Sequence, residues 1–254
     1  MTDETQLTIT EEELEQARSE REGMETLEPY LEGPADDGTE TAQPTGPASG
    51  RMISAAAFDL IVEFEVSNKA LYSKKYRAPI WPEGASGVTI GIGYDVGYTT
   101  EQLLKADFGG VIPGSMIAAL KPAIGVKGAA ARQVAANLAG SIDVPWEAAI
   151  EVHRDKVIPR WTGLVERSLP NTDALSADGL GALVSLTYNR GASFNSQGDR
   201  YTEMRAIKEH MKKKFLSKIS AEFRSMKRIW PNVVGLQKRR EREARLFEQG
   251  LRTS

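Results

Sequence analysis

Cysteine is absent from this chain, which excludes a disulfide framework, a thiol nucleophile and cysteine-ligated zinc or iron–sulfur centres. Histidine is nearly absent, with only His153 and His210. Glu151, His153 and Asp155 cluster in sequence, but residues two apart do not share a helix face, so no metal site is expected. No run approaches the ~18–20 consecutive apolar residues that span a bilayer, so stable membrane insertion is not expected. The basic and apolar regions of a signal peptide are also missing, which points to synthesis in the cytoplasm without one. There is no G-x-S-x-G elbow and no Gly-Lys-Ser/Thr phosphate loop. Gly91, Gly93 and Gly97 miss the dinucleotide fingerprint by one position and lack its strand–helix context. No cofactor is expected.

What is present is an ordinary globular composition with a hidden asymmetry. The 254 residues are 41% hydrophobic and 26% charged, enough for a sizeable core. The net charge is −3, yet residues 1–50 hold fourteen acidic residues against Arg18 and Arg21 alone, and residues 51–254 hold 21 acidic and 30 basic residues. The basic part is expected to be drawn to a polyanion: nucleic acid, an anionic membrane surface or the bacterial cell wall. Residues 1–50 have few large apolar side chains and read as an acidic, largely disordered segment and linker. Inside it, Thr10 and Glu13 resemble a capping box that predicts a transient helix over 11–28, and 33–50 reads as a flexible linker. The segment is a docking or delivery device, an acidic mask over the basic part, or a plain solvated tail.

Residues 51–254 change character twice. Ser54 can cap a helix running to about Tyr72, with apolar positions 57, 58, 61, 62, 64, 66 and 71 on a broad face. Residues 79–98, rich in Gly and Pro and alternating β-branched residues with glycine, predict short strands and tight turns. Thr99 or Thr100 then caps a short helix, and helical segments follow at 127–139, 145–168, 174–189, 201–217 and 236–249. The fold class is α+β, mainly helical, with a small β-rich insert after the first helix of the domain.

Paired carboxylates are the chemistry that survives. Glu65 lies near the end of the first helix between Phe64 and Val66, an apolar setting that suits a general acid. Asp95 lies in the β-rich insert. Thr89 precedes it by six residues around a glycine turn, where backbone can approach a ligand closely. A helix-borne acid facing a loop-borne carboxylate is the arrangement glycoside hydrolysis requires. Glu63, two residues from Glu65, lies on another helix face.

These residues resemble the active-site segment of the phage-type lysozymes. The match rests on Glu65-x6-Tyr72 followed by Gly87-Val88-Thr89-Ile90-Gly91-Ile92-Gly93. Ala182 to Gly191, ALVSLTYNRG, is similar to that family's central helix, and Trp230 to Glu243, WPNVVGLQKRRERE, to its closing G-L-x-x-R-R-x-x-E segment. The four stretches run in the family's order from about residue 54 to 250, and residues 1–50 are not covered. The resemblance implies a lysozyme-like catalytic domain over 51–254 that hydrolyses the β-1,4 bond between N-acetylmuramic acid and N-acetylglucosamine.

By that resemblance, Glu65 is the general acid, and Thr89 helps hold the attacking water. The second carboxylate is Glu83 on the common phage pattern, six residues before Thr89. It is Asp95 on the pattern of the pesticin-like muramidase domain, six residues after it. The longer gap from Glu65 to Thr89 and the Gly-Tyr-Asp ending favour Asp95. Inversion follows, with carboxyl groups roughly 6.5–9.5 Å apart. The Tyr72 spacing selects Glu65 over Glu63. Tyr72, Tyr94 and Trp81 are candidate sugar-binding residues, and packing of the β-insert is the competing role for Trp81 and Tyr94.

Residues 201–254 hold fifteen Lys and Arg against six Glu, so a nucleic-acid-binding helical protein is the rival reading. Acids and bases alternate over 238–248 as i,i+4 pairs do, and no aromatic stacking platform is interleaved, so nucleic acid is not the expected partner. A non-catalytic protein with a lysozyme-like fold is the other alternative. The expected partner is peptidoglycan, acted on by a monomer in the periplasm or outside the cell. Delivery without a signal peptide implies a holin or a secretion machinery, with residues 1–50 as the address.

Overall fold

The computed structural model describes residues 7–19, 44 and 46–252. It is mainly helical with one small antiparallel sheet, the expected α+β class. Two compact units divide the chain, with boundaries among the described residues at 48/49, 64/65 and 160/161.

The first unit is all helical among its described residues. It contains α1 (Glu11–Ser19), most of α2 (Ala55–Val66), most of α8 (Ile158–Ser168), α9 (Ala177–Arg190), α10 (Thr202–Lys213), α11 (Ile219–Ser225) and α12 (Val234–Arg252). Its centre is α9, buried from Gly179 to Arg190. Helix α12 packs along α9, and α11 packs on α12. Gly181 of α9 stands against Ala57 of α2 so closely that a side chain there would collide with it. Three donors inside the α9–α12 contact converge on one carboxylate: Glu243 accepts from Ser185 at 2.6 Å, Arg240 at 2.9 Å and Arg239 at 3.3 Å.

Helix α1 is the described helix of the acidic segment. The capping box forms, with the Thr10 amide donating to Glu13 at 2.8 Å and the Glu13 amide to the Thr10 hydroxyl at 3.2 Å. The helix then buries Leu14 and Ala17 and packs on α12. Gly235 is needed there, because a Cβ would meet the Glu13 carbonyl and the Ala17 side chain. Lys238 donates to Glu13 at 2.7 Å and to the Thr8 carbonyl at 2.7 Å. Residues 11–19 are therefore a built-in part of the helical unit rather than a solvated tail: two apolar contacts and a charge pair offset the ordering of a single short helix. The expected continuation to residue 28, and most of the 33–50 linker, lie outside the described residues.

The second unit, residues 65–160, holds the sheet and short helices around it: α3 (Lys69–Lys75), α4 (Glu101–Phe108), α5 (Gly114–Leu120), α6 (Ala129–Leu138) and α7 (Trp146–Val152). Strand β1 (Thr89–Ile90) pairs antiparallel with β2 (Tyr94–Asp95), in the register Thr89 to Asp95 and Ile90 to Tyr94. The single helix expected from Ser54 to Tyr72 is two. Ser54 does cap α2, accepting from the Ala57 amide at 3.1 Å. Ser67 then turns left-handed at φ +62°, and Asn68 caps α3 by accepting from Leu71 at 3.0 Å. Thr100, not Thr99, caps α4. The helix expected over 145–168 forms as α7 and α8 joined by a π turn at His153–Val157. Helices α5 and α11 were not expected: each is a single short segment that lacks a strong periodic stretch.

Candidate active site

The hairpin brings two of the candidate residues together. Ile80 exchanges both backbone hydrogen bonds with Thr89, at 3.0 and 2.8 Å. Thr89 therefore meets Asp95 on its other edge as a non-hydrogen-bonded pair, the type in which opposing side chains stand closest, about 4.5–5.5 Å between Cβ atoms. Gly91 and Gly93 close the three-residue loop at φ +59° and +66°, a conformation costly for any other residue. The structure thus brings Thr89 and Asp95 side by side on one face, both largely withdrawn from water.

Asp95 is anchored at both oxygens. One accepts from the Gly87 amide at 2.9 Å and the other from the Gly97 amide at 2.8 Å. The second bond starts the 3₁₀ turn Val96–Tyr98, as an Asx turn does. Glycine is required at both donor positions by the chain itself: a Cβ on Gly97 would lie 2.6 Å from the Val126 carbonyl and 2.7 Å from the Gly87 Cα. The close approach expected to serve a ligand here serves the protein's own backbone.

Glu65 lies in the last turn of α2, half-buried between the buried Phe64 and Val66. Its rival is engaged elsewhere: Glu63 pairs with Arg242 at 2.6 Å in the first unit. Glu83 stands exposed in a tight turn at φ +78°, next to Gly84 at +59°.

The expected sugar-binding aromatics divide sharply. Tyr72 is 0% exposed, donates to the Val144 carbonyl at 2.9 Å and packs edge-on against Trp146. Tyr94 is 2% exposed, and its ring meets Phe108 edge to face at 4.9 Å. Neither ring offers a face to a sugar, so both assignments are corrected: these are core residues, buried because an aromatic ring is the largest apolar body available to a small lobe. Trp81 stays half-buried, with its indole N–H donating to the Ser86 carbonyl at 3.1 Å, and is the one of the three with ring surface at the protein boundary.

Thr99, read from the sequence only as a possible helix cap, and Asp107 and Arg160, which sequence reasoning passed over, form a polar group around the Tyr94 hydroxyl. Tyr94 donates to Asp107 at 2.9 Å and its oxygen lies 3.0 Å from the Thr99 hydroxyl. Arg160 closes the group on Asp107. Burial, reinforced by the Asp107 charge, pushes the Tyr94 phenol far above its ordinary value, so it stays a neutral donor at any physiological pH. No local pattern could have flagged a pair 53 residues apart. Among the described residues no group of three or more His, Asp or Glu is placed to hold a metal ion.

A family model described only as a domain of unknown function, DUF8812, matches residues 62–152. That stretch contains Glu65, Glu83, Thr89 and Asp95 together with Tyr72, Trp81 and Tyr94. No curated protein matches the chain.

Proposed function

We propose that this protein is a peptidoglycan hydrolase of the muramidase type, with a lysozyme-like catalytic domain. The observation that carries the reading is the lateral pairing of Thr89 with an anchored Asp95 in a hairpin that follows the helix bearing Glu65. Glu65 donates a proton to the glycosidic oxygen as the bond breaks. Asp95 and Thr89 hold a water on the opposite face of the sugar, Asp95 accepting its proton and Thr89 fixing its orientation. A carboxylate clamped by two amides keeps its aim through the reaction, which is where preorganisation lowers a barrier. One displacement inverts the anomeric carbon. Trp81 is the surface on which a sugar ring stacks. Peptidoglycan lies outside the cytoplasmic membrane, so that is where the proposed enzyme acts.

The charge distribution weighs against the nucleic-acid reading. Five of the six cations of α12 pair with carboxylates, Lys238 with Glu13, Arg239 and Arg240 with Glu243, Arg242 with Glu63 and Arg245 with Glu241. A helix whose cations are already paired neutralises few phosphates, and so releases few of the counterions condensed on a nucleic acid.

The test is mass analysis of purified peptidoglycan digested by the full chain. Release of disaccharide-peptide fragments with reducing N-acetylmuramic acid ends is expected. Intact glycan strands, or cleavage confined to peptide or amide bonds, would remove the muramidase assignment.

A further inference from the structure

The basic character of the C-terminal sequence concentrates at one exposed turn. Residues 210–221, HMKKKFLSKISA, contain four lysines and no acidic residue. Helix α10 ends at Lys213. Lys214 then adopts a left-handed conformation at φ +57°, and the amide of Phe215 returns to the His210 carbonyl at 2.9 Å. This closure puts Lys212, Lys213, Lys214, Phe215, Ser217 and Lys218 on the surface. Phe215 is 49% exposed, one of three exposed large hydrophobic residues among those described. No ion pair joins Lys212, Lys214 or Lys218 to a carboxylate among the described residues, in contrast to the matched cations of α12.

Helix-end electrostatics accounts for only part of this. Lysine near a helix C-terminus is favoured by the macrodipole, which explains Lys212 and Lys213. It gives no reason for Lys218, which lies beyond the helix, nor for an aromatic ring left half in water among four cations.

We propose that the 212–218 turn is an interfacial anchor for an anionic lipid surface. The lysines supply attraction to acidic headgroups, and Phe215 enters the boundary between headgroups and acyl chains. A lipid surface fits better than a sugar polymer or a nucleic-acid strand. Those partners would stack on a ring face, and the Lys218 ammonium, at 5.3 Å, already occupies one of the two faces of the Phe215 ring. Insertion of the ring into a bilayer boundary leaves that contact in place. The anchor is shallow: no helix among the described residues is long and apolar enough to cross a membrane.

The inference does not rest on the muramidase reading, and its test does not use catalysis. The full chain is sedimented with vesicles of phosphatidylcholine alone or mixed equally with phosphatidylglycerol. Binding is expected to the mixed vesicles only and to weaken with salt. Joint substitution of Lys212, Lys213 and Lys214 by Gln is expected to lower partitioning about a hundredfold, from about 1 kcal/mol, or fivefold, per lysine. Phe215→Ser is expected to weaken it, while Phe215→Trp keeps it and adds an emission that shifts to the blue on binding. Equal binding to both vesicle types, or wild-type binding by the lysine variant, would overturn the proposal. So would capture of a single-stranded oligonucleotide or a soluble wall polymer through this turn with no vesicle binding.

Discussion

Arg160 grips Asp107 with both ends of its guanidinium, at 2.8 and 2.7 Å, where the Asp107 side chain is 1% exposed. The same carboxylate accepts from Tyr94, the immediate neighbour of Asp95 in β2, so a charge pair in the core reaches the candidate site in one step. Removing one partner of a buried pair leaves the other charge uncompensated, at about 3–5 kcal/mol. Asp107→Asn is expected to lower the unfolding free energy toward that range in urea titrations. Tyr94→Phe removes a hydroxyl and no charge, and is expected to cost about 0.5–1.5 kcal/mol. An Asp107→Asn midpoint equal to wild type would mean the pair does not support the hairpin.

Glu65→Gln keeps the shape of the side chain and removes its acidity. Loss of about 10²–10⁴ in lytic rate is expected, with the unfolding midpoint unchanged. A folded Glu65→Gln protein that lyses cell walls at the wild-type rate would remove Glu65 from the mechanism.

Asp95 and Glu83 separate by a double measurement. Asn at 95 has one carbonyl oxygen and faces the second glycine amide with a donor, so Asp95→Asn is expected to lose activity and also about 1–3 kcal/mol of stability. Exposed Glu83 is expected to tolerate Gln with stability within about 0.5 kcal/mol and activity retained. An inactive Glu83→Gln beside an active Asp95→Asn would transfer the base to Glu83.

The α1 latch predicts an acid-sensitive contact. Burial alone would raise the Glu13 carboxyl, but hydrogen bonds from Lys238 and Thr10 outweigh it and hold the group below its ordinary 4.5. A depressed folded value gives stability that is present above 4.5 and lost as pH falls through the folded value. Hydrogen exchange of the α1 amides is expected to accelerate below about pH 4.5 in wild type, and Glu13→Gln to abolish that dependence. Gly235→Val, which drives a side chain into the Glu13 carbonyl, is expected to release α1 at every pH; unchanged α1 protection in that variant would refute the packing role.

Local signals were legible where one side chain answers its own backbone. Ser54, Thr10 and Thr100 cap the helices they precede because a hydroxyl has to reach only three residues. The glycine turn and the six-residue step from Thr89 to Asp95 likewise become a hairpin with the two facing each other. The break at Ser67–Asn68 was harder to see: the apolar positions continue past it, and only the left-handed Ser67 and the Asn68 cap interrupt the helix. Tyr72 and Tyr94 were misplaced for a related reason, since an aromatic residue beside a carboxylate has the same local pattern whether its ring faces sugar or core.

By itself the sequence determined the class of the fold, the hairpin and its paired residues, because each depends on neighbours a few positions apart. Tertiary structure alone decided which charges are matched. Lys238 finds Glu13, Arg160 finds Asp107 and Arg242 finds Glu63 across separations of 53 to 225 residues, while Lys212, Lys214 and Lys218 are left facing water. Charge acts through distance in space, and composition counts only distance along the chain.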